Sequence, residues 1–344
     1  MTTSTTARWR RGLRRRALTV SLLAFAVMAA LFVVALLLGP AGLRPEQVWA
    51  AFTGRADDMT AFVVLDGRLP RASAAVTVGM CLGVAGAVFQ SVLRNPLASP
   101  DVVGVTSGAA TAGVLGVLIL QLSGLPLALL VMAGGLVSAL VVAVLTWQRG
   151  MQGLRLVLVG IGVAALATAV TSYLLTTVDV RDAQVAYTWL VGSLGATGWP
   201  VVGVGMALAV AGLLATAAQA KGLRALELGD AAATSIGVPA ERTRAATLFT
   251  AALLTSAAVG IGGPISFVAL MAPQIARRLV GRTSLSLTAS AAIGGALVTA
   301  ADLLAQYAIP SVPFPVGVVT GVIGAPYLAW LLARNDRARP GGTA

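Results

Sequence analysis

Arg68 and Arg71 flank Leu69 and Pro70 just ahead of a long apolar run, and the chemistry they suit is recognition. Exposed guanidinium groups pair with carboxylates through two parallel hydrogen bonds. Anchoring of the following span at lipid headgroups is the structural alternative. A second polar island, Ala225 to Arg244, sets Glu227, Asp230, Thr234, Ser235, Glu241, Arg242 and Arg244 around an alanine-rich centre. Gly237, Val238 and Pro239 end one short helix there. A third feature is the break Asn95, Pro96, Leu97, Ala98, Ser99 and Pro100 between two apolar runs. Non-helical backbone near membrane depth is tolerated where protein or a water-filled cavity satisfies it, although a plain tight turn explains the prolines equally well.

Other chemistry is absent. There is no histidine, so metal binding by His and Cys clusters is not expected, and no catalytic residue is assigned. Cys81 sits between Gly79 and Gly83 inside an apolar run, which reads as core packing. Of the carboxylates only Asp101 and Asp302 fall within apolar runs, both near the ends, which is poor support for a proton relay. The lysine Lys221 is followed by Gly222 and Leu223, so no GxxxxGK[ST] phosphate loop exists. If ATP drives this protein, another polypeptide hydrolyses it.

The elements that position these groups are about ten apolar blocks: 17–38, 72–92, 101–120, 125–147, 154–177, 199–218, 243–262, 264–280, 285–307 and 316–333. Each approaches the ~20 residues that a bilayer crossing needs. With 58% hydrophobic and 10% charged residues in 344, the chain reads as an all-α polytopic membrane protein. We expect one transmembrane domain over 1–344, with a basic tail at 1–16, an inner polar segment at 219–242 and a tail at 334–344. The first block is longer than the ~7–15 residue core of a secretory signal, so it reads as a retained span.

The net charge of +12 reads as topology and not as a nucleic-acid surface. With the N-terminus inside, alternating joints place every basic residue in the cytoplasm except Arg44, Arg55, Arg68, Arg71 and Arg181. That arrangement obeys the positive-inside rule and puts both termini in the cytoplasm. Sliding the chain by 177 positions sets Gly83 on Gly260, Gly86 on Gly263, Leu93 on Leu270, Pro96 on Pro273, Gly104 on Gly281, Thr106 on Thr283 and Ser107 on Ser284. A displacement by five spans inverts the second copy, which is a transporter architecture. Chance alignment of small residues is the alternative.

Several stretches together resemble one family. They are RLPR from Arg68, GAVFQSVLRNPLASPDVVGVTSGA from Gly86, LGDAAATSIGVP from Leu228, GGPISFVALMAPQIARRLVG from Gly262 and PFPVGVVTGVIGAP from Pro313. They are similar to the FecCD family, the membrane subunits of bacterial ABC importers for ferric siderophores, haem and cobalamin, over about residues 15 to 335. The resemblance implies a type II importer permease of ten helices in the cytoplasmic membrane, paired with a second permease, identical or homologous. It implies two cytoplasmic ABC ATPases, which bind the ATP and Mg that this chain does not, and an extracytoplasmic substrate-binding protein. By the same resemblance Arg68 and Arg71 dock the binding protein, and Asn95 and Leu97 form a cytoplasmic gate. Leu228, Gly229, Asp230, Ala231, Ala232, Ala233, Thr234, Ser235, Ile236 and Gly237 couple to the ATPase. A further docking arginine of some relatives would fall at Gln306, where it is absent. Ferric siderophore import is the expected activity, with cobalamin or haem import as the alternative. A stand-alone secondary carrier is the rival from another class.

Overall fold

The computed structural model describes residues 3–39, 41–147, 153–195, 197–281, 285–309 and 314–336. The expectations placed on Arg149, Arg282, Thr283, Ser284, Pro313, Arg337 and Arg339 lie outside the described residues, as do the side chains of Arg8, Arg10, Arg11, Arg14 and Arg334. Regular structure among the described residues is helical. It comprises α1 (Thr3–Leu37), α2 (Pro45–Phe52), α3 (Asp58–Ala61), a π-helical turn (Phe62–Arg68), α4 (Leu69–Val92), α5 (Val105–Leu118), α6 (Gly124–Thr146) and α7 (Gly153–Thr176). There follow α8 (Val180–Leu190), α9 (Trp199–Glu227), α10 (Asp230–Ser235), α11 (Ala240–Gly262), α12 (Val268–Val280), α13 (Leu287–Tyr307) and α14 (Val316–Asp336).

Side-chain contacts define two ends of the bundle. At one end the Trp199 indole N–H donates to the Leu65 carbonyl (2.8 Å) and the Tyr307 hydroxyl to the Leu38 carbonyl (3.2 Å). The C-terminus of α1, the start of α4, the start of α9 and the end of α13 therefore meet there. At the other end Arg16 Nε donates to the Leu279 carbonyl (2.8 Å), and the Ser21 and Thr288 hydroxyls lie 3.1 Å apart. About ten traverses alternate between these ends, in agreement with the sequence expectation. Helices α2, α3 and α8 fill connections at the first end, and α10 fills one at the second.

Helix α4 forms the centre. Over the apolar part of the Asp58–Val92 helical stretch 83% is buried, against 11% for α1 and for α7. The small residues of α4 explain its position. A Cβ on Gly83 would fall 2.2 Å from the Ser290 carbonyl of α13, and one on Gly86 would fall 1.7 Å from the Ala269 carbonyl of α12. Glycine lets the backbones approach this closely, which is how helices pack in lipid. Cys81 is fully buried in the same core.

Among the described residues seven helical stretches are long and apolar enough to cross a membrane by length and composition. The blocks at 101–120 and 264–280 are shorter than expected as helices. They give α5 of 14 residues and α12 of 13, about 20 Å each at 1.5 Å per residue, against ~30 Å of hydrocarbon. Irregular backbone completes both crossings. Gly104 (φ +85°) precedes α5, and Phe267 (φ +68°) precedes α12. Ala98, Ser99 and Val103 in the first irregular stretch are buried, so protein covers it, as a bilayer requires.

Two further differences concern the joints. Helix α9 continues to Glu227, so the first part of the inner segment 219–242 extends the preceding span, with Leu223, Ala225 and Leu226 buried. The offset of 177 pairs much of α4 with α11 but sets the irregular stretch 93–104 against residues 270–281, most of which are helix α12. Residue-by-residue equivalence at constant spacing is therefore lost there.

Candidate functional site

The arginine pair of RLPR lies where the π turn passes into α4. The Leu69 N–H reaches back to the Val64 carbonyl, five residues away, and Pro70 follows with no N–H to offer. In a regular helix the proline ring would press on the carbonyl four residues earlier. The wider turn accommodates it. Arg71 then closes on a carboxylate of its own chain: Nε donates to Asp302 Oδ1 (3.2 Å) and Oδ2 (3.1 Å), and Nη2 to Oδ1 (2.8 Å). The Asp302 side chain is 3% exposed and that of Arg71 25%. Gln306, the position where an arginine was missed, donates Nε2 to Asp302 Oδ2 (2.7 Å). Arg68 Nη1 donates to the Leu36 and Leu37 carbonyls (2.8 and 3.1 Å), which completes the C-terminus of α1. Both arginines are half-buried and at least partly engaged within the subunit.

At the other end, the stretch after α4 begins with Arg94 at φ +48°. The Asn95 side chain accepts the Leu97 N–H (2.9 Å), a local turn that uses the preference of Asn for bonding its own backbone two residues on. Asn95 is exposed and Leu97 half-buried. Helix α10 starts at Asp230 after Gly229, whose φ of +103° an L side chain rarely adopts. Ala233 is fully buried, whereas Leu228 is 70% and Ile236 63% exposed. Ala231, Thr234, Ser235 and Gly237 are exposed too, and Ala232 is half-buried. An ion pair between Asp230 and Arg244 ties α10 to the second turn of α11. The structure brings the two sequence-derived sites together: a Cβ on Gly229 would lie 3.2 Å from Arg94 Nη1.

Between them lies a cluster that sequence reasoning missed. Glu227 Oε1 accepts from Ser91 Oγ (2.9 Å) and from Arg277 Nη2 (3.3 Å). By sequence alone Arg277 is a basic residue at a span end, which topology explains. Beside it Gln274 Nε2 donates to Gln90 Oε1 (2.6 Å) and to the Pro96 carbonyl (3.0 Å). The available signal was Gln90, Ser91 and Gln274 inside otherwise apolar runs, where polar side chains need partners.

A cavity of about 390 Å³ opens among α4, α5, α6, α7 and α11, lined by Phe89, Val103, Leu140, Trp147, Leu156 and Phe249 among others. Its walls are almost wholly apolar, so it offers no ligands for a polar chelate. Among the described residues no group of His, Cys, Asp or Glu could hold a metal ion.

Comparison with known proteins gives a consistent picture. The FecCD transport family matches residues 27–334. The ferric enterobactin transport system permease of Escherichia coli (strain K12) is 40% identical over 301 residues, 88% of this chain and 91% of that one. The Fe(3+) dicitrate transport system permease of the same organism is 38% identical over 275 residues, 79% and 86% of the two chains. Hemin and cobalamin permeases are among further relatives. A solved ABC transporter of metal-chelate type in an inward-facing conformation superposes with a TM-score of 0.83 at 25% identity, covering 92% of this chain and 99% of that one.

Proposed function

Because the chain belongs to the FecCD transport family, we propose that it is the permease subunit of an ATP-driven importer that moves ferric siderophore complexes across the bacterial cytoplasmic membrane. The observation that carries this reading is the family match over residues 27–334. It falls on a helical bundle in which the short helix α10, between α9 and α11, lies at the end where Arg16 meets Leu279.

The function assigned to the chain is to gate and convey. A second permease, identical or homologous, completes the path, and two cytoplasmic ABC ATPases bind ATP and Mg. An extracytoplasmic binding protein delivers the substrate at the end that holds Arg68 and Arg71. The end with α10 faces the cytoplasm, which the arginine distribution supports. Asn95 and Leu97 serve as the inner gate, and Leu228 to Gly237 fit a groove on the ATPase. The single transmembrane domain of 1–344 has no ATPase motif, so hydrolysis belongs to the partner.

Haem or cobalamin import by the same architecture is the second reading, favoured by relatives named for those substrates. A stand-alone carrier would need an internal coupling-ion site. Asp302, one of its two candidate carboxylates, is already occupied by Arg71. Co-purification tests the class directly: tagged permease expressed with the ABC ATPase of its own operon should retain untagged ATPase through a detergent column. Elution of permease alone would favour the stand-alone carrier.

A further inference from the structure

Glu227 is the last residue of α9, and the coupling segment begins at the next position. Its Oε1 receives Ser91 Oγ of α4 and Arg277 Nη2 of α12, and the same Nη2 also donates to Ser91 Oγ (3.0 Å). Three helices therefore converge on one carboxylate oxygen. One turn earlier on α12, Gln274 holds Gln90 and the Pro96 carbonyl, the peptide between Asn95 and Leu97. Helix α12 thus grips both the root of α10 and the loop that follows α4.

Burial separates the two grips. Gln90 is 1% and Gln274 8% exposed, a fixed contact whose rupture would leave buried amides unsatisfied. The side chains of Arg277 and Glu227 are 24% and 26% exposed. A charged pair at the edge of water can open and reform without stranding a dry charge. Arg277 Nε is in addition buried with no hydrogen-bond partner. A guanidinium with an unused buried donor gains by a second arrangement in which that donor is paired.

We propose that Arg277 is a positioning residue that transmits the movement of α10 to the loop 93–104 through Glu227 and Ser91. The inference rests on the importer reading above. Movement of α10 pulls on Glu227, which is joined to its first residue, Asp230, through Leu228 and Gly229 alone. Arg277 follows the carboxylate, and α12 carries Gln274 and the Pro96 carbonyl with it. Loss of the pair should leave assembly and hydrolysis in place and sever the link between them and transport.

The experiment uses the full permease with its ATPase and binding protein in proteoliposomes, with ATP hydrolysis and ferric siderophore uptake measured on the same sample. Arg277→Gln and Glu227→Ala should each lower the molecules imported per ATP about tenfold, the size of a typical coupling between sites, with ATPase stoichiometry unchanged. The double variant should be no worse than either single one. Arg277→Lys keeps one charged donor that can serve both oxygens, and it should restore most of the ratio. An unchanged ratio in Arg277→Gln overturns the proposal, as does uptake that falls only in step with the amount of assembled complex. A wild-type permease that neither retains the ATPase nor imports overturns the importer reading, and this inference with it.

Discussion

Arg71 lies 2.8 Å from the buried carboxylate of Asp302, on a helix more than two hundred residues later in the chain, and this ion pair joins the mouth of α4 to the end of α13. The pair is asymmetric, because the carboxylate is 3% exposed and the guanidinium 25%. Removing the arginine strands a dry charge, whereas removing the aspartate leaves an arginine that can rehydrate.

The asymmetry separates a structural role from a docking role. Arg71→Ala should lower stability in detergent by about 3 kcal/mol, the lower end for breaking a buried pair, and Asp302→Ala should cost less. Binding-protein affinity should show a different pattern. Asp302→Ala frees Arg71 and should keep affinity, while Arg71→Ala should lose it. Thermal unfolding and a binding titration on the same preparations check both. Equal affinity in the two variants would remove Arg71 from the docking surface.

Close helix packing gives a sharper contrast. Gly86→Ala places a methyl carbon 1.7 Å from the Ala269 carbonyl, a backbone atom that cannot swing aside. Overpacking of this kind costs about 1–3 kcal/mol or more, so the yield of monodisperse protein should fall. Gly321→Ala on α14 meets nothing within 4 Å and should behave as wild type in the isolated subunit. Size-exclusion profiles distinguish them.

Ala232 lies half-buried on α10 between exposed Ala231 and buried Ala233. Ala232→Trp should prevent ATPase association or leave hydrolysis unlinked to transport, because a bulky ring cannot enter a close interface without displacement. The far end is untouched, so the binding protein should still dock. Normal substrate-stimulated hydrolysis and normal uptake would remove α10 from the coupling role.

Orientation is open to direct labelling. In Cys81→Ser protein, single cysteines at Asp57 and Asp182 should react with an impermeant maleimide on intact spheroplasts, and cysteines at Lys221 and Thr234 only after permeabilisation. Labelling of Thr234→Cys from outside would invert the assignment of ends.

The number and order of traverses were legible because lipid demands apolar length, and each long run declares itself. Helices α5 and α12 were not, since hydropathy cannot distinguish a full helix from a short one completed by irregular backbone; Gly104 and Phe267, at positive φ, mark the difference. The position of Arg68 and Arg71 at a helix mouth was readable, but their partners were not. Asp302 and the carbonyls of Leu36 and Leu37 are distant in sequence, and only tertiary packing brings them near. Arg277 was hidden for the opposite reason. A basic residue at a span end already has a sufficient topological explanation, which masks its pairing with Glu227.

The importer claim is tested most directly by uptake in proteoliposomes that contain this permease, its ATPase and its binding protein, with radiolabelled ferric siderophore outside and ATP enclosed. Accumulation should require ATP and the binding protein together, and should stop in Ala232→Trp while the binding protein still docks. Accumulation driven by an ion gradient with no ATP and no ATPase present would contradict it.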